Sequence, residues 1–227
     1  MCVALICPPK VRPSLPLLIA CESANPHGAG IAWRSKGRVH WRKALTAAQV
    51  HQLAQETSGE LVIHFRWASV GGVDPKLCHP FPITAAVELK DAGSAKSVLF
   101  HNGTWADWRE VLERTPDAPK LEGPCSDSRV AASLSHHVEN TRWLRKLPGR
   151  WAVMKRSEVE LYGDWQQYRG MLVSNRNFEP HLKRKETSKA PAARAPQQAP
   201  TLRPASPVDD LYSRRFAEWK RMHGIRG

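Results

Sequence analysis

The chain lacks several of the features that usually reveal a protein's class. No run of about 18 apolar residues occurs among its 227, so no membrane-spanning helix is expected. Its five cysteines are Cys2, Cys7, Cys21, Cys78 and Cys125. They are odd in number and form no CxxC pair, which argues against a disulfide framework and a zinc site and makes a reducing cytoplasm the expected location. There is no GxGxxG turn, no phosphate-binding GxxxxGK[ST] loop and no internal repeat, so no nucleotide cofactor is anticipated. The opening "MCVALICPPK" has no basic segment ahead of its short apolar run, so no secretory leader is expected.

What is present points to a folded protein. Hydrophobic residues make up 41% of the chain and nine residues are tryptophan, enough for one sizeable core. Net charge is +13 and unevenly spread. From Lys183 onward 11 Lys/Arg face 4 Asp/Glu, so the last fifth of the chain carries about half the excess. Such an arm could contact nucleic acid or an acidic partner, or could simply be a solvated tail. Composition predicts three parts. Residues 1–182 form the main domain. Residues 183–207 form a Pro/Ala/basic linker with almost no large apolar residue. Residues 208–227 form an amphipathic C-terminal helix, with Val208, Leu211, Tyr212, Phe216, Trp219 and Met222 near one face.

Within the main domain, "VALIC" reads as a strand, and "GAGIAWRSKGRVHWRK" as strands turning at Lys36-Gly37. "TAAQVHQLAQETSG" reads as a helix with Thr46 as N-cap and Gly59 as stop. "LVIHFRWAS" and "SVLFHNG" read as strands. "TWADWREVLERT" reads as a helix capped by Thr104, with Trp105, Trp108, Val111 and Leu112 on its apolar face. "SDSRVAASLSHHVENTRWLRKL" reads as helical from Ser126 or Asp127. "RWAVMKRSEVELYGDW" reads as a hairpin and "GMLVSN" as a last strand. Strands and helices in separate blocks predict an α+β sandwich.

Polar groups collect where strands run out. Arg66, between bulky apolar neighbours in "HFRWAS", is expected to point inward, where its charge must be paired by an internal carboxylate or by a ligand's. "LFHNGTW" ends a strand in Asn102-Gly103, either a plain turn or an oxyanion hole made of a side-chain amide and a backbone N–H. Asp127 opens a helix, as an N-cap or as the partner of an ammonium group. Cys2 stands directly after Met1. It could be a small buried hydrophobe. Once Met1 is removed, it could instead supply a thiol nucleophile and, through its α-amine, the base that activates it. Together these groups cover what a free α-amino acid substrate requires.

The ordered series "MC", "NPHGAGIAW", "VIHFRWASVGG…CHPFP", "LFHNGTW" and "SDSRV" resembles the class II glutamine amidotransferases, enzymes with an N-terminal nucleophile. It looks closest to compact stand-alone members found among bacteriophages. The resemblance spans residues 2 to about 176. It implies a four-layer αββα sandwich of two antiparallel sheets. It also implies hydrolysis of the glutamine side-chain amide through a Cys2 thioester, without metal or organic cofactor. By that resemblance Arg66 grips the α-carboxylate, Asp127 the α-ammonium, and Asn102 and Gly103 the oxyanion. Ser69 stands where a Thr is usual and could keep a hydroxyl near the ligand. Val3 replaces the glycine that often follows the nucleophile, and "LCHPF" replaces the more usual Asn-containing forms. His64, His79 and His101 lie beside these motifs and read as structural supports.

A glutaminase needs a consumer for its ammonia, and no synthase motif is present. A separate ammonia-using partner is therefore expected, or a γ-glutamyl substrate other than glutamine. The rival from another class is a degenerate amidotransferase fold that binds nucleic acid or an assembly through its basic tail.

Overall fold

The computed structural model describes residues 2–69 and 72–186, with side chains described as far as residue 182. Along the chain the strands are β1 (Val3–Cys7), β2 (Ala29–Ser35), β3 (Arg38–Leu45), β4 (Leu61–Phe65), β5 (Phe81–Pro82), β6 (Ala92–Ala95), β7 (Ser97–Asn102), β8 (Arg150–Lys155), β9 (Val159–Tyr162), β10 (Gln166–Tyr168) and β11 (Met171–Val173). The α-helices are α1 (Leu15–Ala24), α2 (Ala47–Glu56), α3 (Trp108–Arg114), α4 (Asp127–His137) and α5 (Glu179–Glu186). A seven-stranded sheet has the order β10-β11-β1-β4-β2-β3-β6, and a four-stranded sheet the order β5-β7-β8-β9. Every pairing is antiparallel.

The two-residue side-chain period of a strand divides the apolar residues among three layers. Val3, Leu5 and Cys7 of β1 and Leu61, Ile63 and Phe65 of β4 pack with Leu17, Leu18 and Cys21 of α1, Val50 of α2 and Phe178 just before α5. The alternate residues, Ile6 of β1 and Val62 of β4, face Val98 and Phe100 of β7 and Ala152 and Met154 of β8 across the gap between the sheets. On the far side, Leu99, Trp151 and Val153 pack with Trp108 of α3 and Val130, Ala131 and Leu134 of α4. The architecture is thus the expected αββα sandwich. Burying each large side chain in these layers contributes about 1.5–3 kcal/mol before the entropy of ordering is charged against it.

Local chemistry explains the element boundaries. The β2–β3 hairpin turns at Lys36-Gly37, both with positive φ (48° and 70°), the pair of left-handed residues that a tight hairpin turn requires. Thr46 caps α2 in a full capping box with Gln49. The helix ends earlier than expected, at Glu56. Thr57 is its C-cap rather than Gly59, and the Thr57 hydroxyl donates back to the Leu53 and Ala54 carbonyls. Thr104 does not cap α3: the helix begins four residues later behind Asp107, with Trp105 outside it and Val111 exposed at 38%. The long helix expected after Ser126 divides into α4 and a 3-10 turn at Arg142–Lys146. Helix α1 was not anticipated. It is apolar nearly all round, so it carries no one-sided period to read. Helix α5 runs to Glu186, past the boundary expected at 182, so the first residues of the expected linker are helical. Leu182 packs on the same core as Phe178, and Lys, Arg and Glu are good helix formers. The rest of the expected linker and the C-terminal helix lie outside the described residues. Among the described residues no helix is long and apolar enough to cross a membrane.

Candidate active site

Four strand ends and one helix start converge on Cys2. It precedes β1, whose Val3 pairs with Phe65 at the end of β4, so Arg66 and Trp67 emerge beside it. The Cys2 thiol donates to the Trp67 carbonyl at 3.3 Å and accepts from the Trp67 N–H at 3.2 Å. Asn175, just after β11, donates from Nδ2 to the Cys2 carbonyl at 2.7 Å. Burial pushes the Cys2 thiol above its ordinary pKa, and the Trp67 N–H and nearby positive charge only partly offset that.

A cavity of about 20 Å³ is bordered by Cys2, Arg66, Ser69, Gly103 and Asp127, along with His79 and His101. A second, of about 290 Å³, adjoins it and shares Cys2, Trp67, Ser69 and Gly103, with Asn102 and Thr104 added. The six predicted site residues, Cys2 among them, therefore line these two adjoining cavities, although they come from residues 2 to 127 of the chain.

Arg66 is 3% exposed. Its guanidinium donates to the Gly72 carbonyl at 2.8 Å and to the Asp74 carbonyl at 3.3 Å, so the segment after β4 folds over it. Burial lowers its pKa, with Cys78 and Cys2 among the groups opposing the shift, and a guanidinium stays charged regardless. Asp127 is 4% exposed at the first turn of α4, while Ser126 is the actual N-cap, accepting from the Arg129 N–H. One Asp127 oxygen accepts from the Trp105 N–H at 2.9 Å and the other from the Ser128 N–H at 2.8 Å. Burial raises the carboxyl pKa, and these hydrogen bonds pull it partly back down. The carboxylate is thus oriented by two backbone donors, with lone pairs to spare.

At the end of β7, the Asn102 amide Nδ2 donates to the Ser174 hydroxyl at 2.6 Å, and that hydroxyl also accepts from the Ala4 N–H at 2.8 Å. Gly103 has no room for a side chain: an added Cβ would come within 2.8 Å of both the Gly149 Cα and the His101 ring. His101 stacks on Trp151 with centroids 3.6 Å apart, and its Nδ1 lies 3.0 Å from the Ser128 hydroxyl and 3.6 Å from Asp127. His64 lies against the His101 carbonyl at 3.1 Å and 4.1 Å from the His79 ring. Burial holds His64 and His101 down to about 3 and His79 well below the usual histidine range, so all three are neutral at pH 7.

Sequence reasoning did not single out Ser174, Asn175 or Ser128. The first two follow a short strand and look like turn residues. Their partners, Ala4, Asn102 and Cys2, are distant in sequence and become visible only when β11 pairs with β1. Among the described residues no cluster of His, Cys, Asp and Glu could hold a metal ion.

No family model and no curated protein matches the chain. Solved structures do. The glutamine phosphoribosylpyrophosphate (PRPP) amidotransferase from B. subtilis, complexed with ADP and GMP, superposes with a TM-score of 0.50 at 17% identity over 81% of this chain and 44% of that one. A structure of the allosteric regulatory enzyme of purine biosynthesis gives 0.51 at 17% identity over 76% of this chain and 41% of its own. The chain spans less than half the length of either. The two-sheet sandwich around Cys2 is therefore a fold that the chain shares with part of these larger proteins.

Proposed function

We propose that the protein is a glutamine amidotransferase that hydrolyses the glutamine side-chain amide through Cys2 and hands the ammonia to a separate enzyme. The observation that carries this reading is the meeting of a thiol, a buried guanidinium and a buried, backbone-oriented carboxylate on one small cavity, with an Asn-Gly strand end at its rim. A free amino acid presents a carboxylate and an ammonium at one end, which Arg66 and Asp127 match in charge. Its side-chain amide then falls at Cys2.

In this mechanism the Cys2 thiol needs a base, because burial keeps it protonated at neutral pH. The α-amine of Cys2, freed by removal of Met1, takes that proton. The thiolate adds to the amide carbonyl carbon. Negative charge develops on the oxygen and is met by the Gly103 N–H and by the Asn102 amide hydrogen not given to Ser174. The carbon–nitrogen bond breaks, ammonia leaves with the proton, and water hydrolyses the γ-glutamyl thioester to glutamate and free thiol. Ser69 is exposed and borders both cavities, and in this reading its hydroxyl serves the substrate's polar end.

The test is glutamine hydrolysis by purified protein whose N-terminus has been read by intact mass. Turnover by protein beginning at Cys2, and none by protein that keeps Met1, is expected. Full turnover with Met1 retained overturns the amine-as-base mechanism. No glutamate from protein that begins at Cys2 overturns the glutaminase reading.

A further inference from the structure

The strand order puts β4 between β1 and β2, and the residues just after β4 keep bonding to both sides although Phe65 is the last to pair with either strand. In an extended chain, successive residues send their backbone groups to opposite sides. Arg66 faces the β2 side: its N–H donates to the Gly28 carbonyl at 2.9 Å, and its carbonyl accepts from the His27 N–H at 3.1 Å. Trp67 faces the β1 side and meets the Cys2 thiol. Its N–H donates to the sulfur at 3.2 Å, and its carbonyl accepts from the thiol at 3.3 Å. Ala68 faces the β2 side again, and there its N–H donates to a side chain, His27 Nδ1, at 2.9 Å.

We propose that His27 is a positioning residue for the Cys2 thiol: its imidazole stands in for the next backbone acceptor on the β2 side and so holds Trp67 at the sulfur. This rests on the reading of Cys2 as nucleophile and adds what sets its place. The histidine of "NPHGAGIAW" takes no part in the mechanism above. Its backbone is fixed twice, by the N–H bond to Arg66 and by the Cys78 thiol, which donates to the His27 carbonyl at 3.2 Å. Its ring lies 5.4 Å from the Trp67 indole. A ring nitrogen that accepts from an N–H carries no proton, so the imidazole is neutral with its proton on Nε2. Burial, and then the Arg66 charge, lower the His27 pKa, which keeps the ring in that form at pH 7. An Ala68 amide freed from Nδ1 lets the adjoining Trp67 peptide turn away from the sulfur. The thiolate then attacks from a less fixed place, which costs rate rather than substrate affinity.

The experiment uses the full chain processed to Cys2 and three variants of the half-buried His27. His27→Asn keeps an acceptor, since its amide oxygen stands as many bonds from the backbone as Nδ1. His27→Phe keeps a ring beside Trp67 without the acceptor, and His27→Ala keeps neither. Exchange of the Trp67 amide hydrogen, followed by NMR, is read without glutamine, and kcat and KM are read with it. We expect the Trp67 amide to exchange about tenfold faster or more in His27→Phe and His27→Ala, and near the wild-type rate in His27→Asn. In the first two, kcat should fall about tenfold with KM within about threefold of wild type, and His27→Asn should regain most of the loss. An unchanged Trp67 exchange rate in His27→Phe and His27→Ala overturns the proposal. So do equal losses in all three variants, which would make the ring a support of the fold alone. If the wild-type protein makes no glutamate, the glutaminase reading falls, and the exchange rates alone decide whether His27 holds Trp67 at the sulfur.

Discussion

The layer between the two sheets is apolar at one end and polar at the other, and the same strands build both ends. On β7, alternate positions carry Val98, Phe100 and then Asn102. On β4 they carry Val62 and His64, with Arg66 next beyond the strand. On β1 they carry Ile6 and Ala4, with Cys2 next. At the apolar end Val98, Ala152 and Met154 are fully buried in one cluster. At the other, His64 Nδ1, both His79 ring nitrogens and Asn102 Oδ1 are buried with no hydrogen-bond partner among the described residues. A buried polar atom left so costs about 1–3 kcal/mol. One end of the layer holds the sheets together. The other gives up stability to hold the buried polar groups of the candidate site.

The largest effect should come from the proposed nucleophile. Cys2→Ala should lower glutamine turnover by at least about 10⁴-fold, on the scale of nucleophile removal elsewhere. The other cysteines sharpen the contrast. Cys7 and Cys21 lie in the outer core, where burial pushes both thiols up, Cys7 to about 12. Cys7→Ala and Cys21→Ala should lower the melting temperature and leave kcat/KM of the folded protein near wild type.

Next is a matched pair on the two ends of the layer. Asn102→Ala removes the proposed oxyanion donor and should lower kcat by about 10²–10³-fold with a small change in stability. Met154→Ala opens a hole in the apolar cluster and should cost about 2–5 kcal/mol of stability with kcat nearly kept. Kinetics and denaturant titration on both variants check this. If Asn102→Ala is kinetically silent, Asn102-Gly103 is only a turn.

The polar end should also set the acid sensitivity. His64, His79 and His101 have folded pKa values below that of an unfolded histidine, about 6.5. Below that pH the unfolded chain binds protons that the folded chain refuses, so stability falls as pH falls. Each histidine contributes about 1.4 kcal/mol per pH unit well below 6.5 until its own folded pKa is reached. Denaturation midpoints at pH 7, 6 and 5 should therefore drop steeply. A flat profile would mean that these rings are charged in the folded state.

Much of this was legible in the sequence where the physics is local. An α+β sandwich follows from strands and helices in separate blocks, while the αββα order of the layers came from the family resemblance. Cys2, Arg66, Asn102, Gly103 and Asp127 sit in short motifs at strand and helix ends, so their residue types alone suggested roles. Other features were not legible, for reasons of distance or of pattern. The apolar surround of α1 hid its period. The division of "SDSRVAASLSHHVENTRWLRKL" after His137 depends on Val138 and Glu139, where the chain leaves the helix with Glu139 at φ 49° and no glycine to announce it. Ser174 gains its meaning only from β1 and β7, strands far from it in sequence.

The smallest effect is expected at Ser174, and it tests whether the polar end works as a unit. The Ser174 hydroxyl accepts one Asn102 amide hydrogen at 2.6 Å and the Ala4 N–H at 2.8 Å, and the Ser174 N–H donates to the Ala4 carbonyl at 2.9 Å. It touches no substrate in the proposed mechanism. Its contacts would fix the rotation of the Asn102 amide and tie β7 to β1. Ser174→Ala should lower kcat by about tenfold while KM for glutamine stays close to wild type, because only the transition state uses the aligned amide. A purely structural role would lower stability and leave kcat of the folded fraction alone. The double variant Ser174→Ala/Asn102→Ala separates the two contacts. If Ser174 acts through Asn102, the second substitution adds almost nothing to the loss from Asn102→Ala, since coupled residues are not additive. If the losses multiply, the contact with Ala4 carries the effect, and Ser174 positions the nucleophile's strand rather than the oxyanion donor.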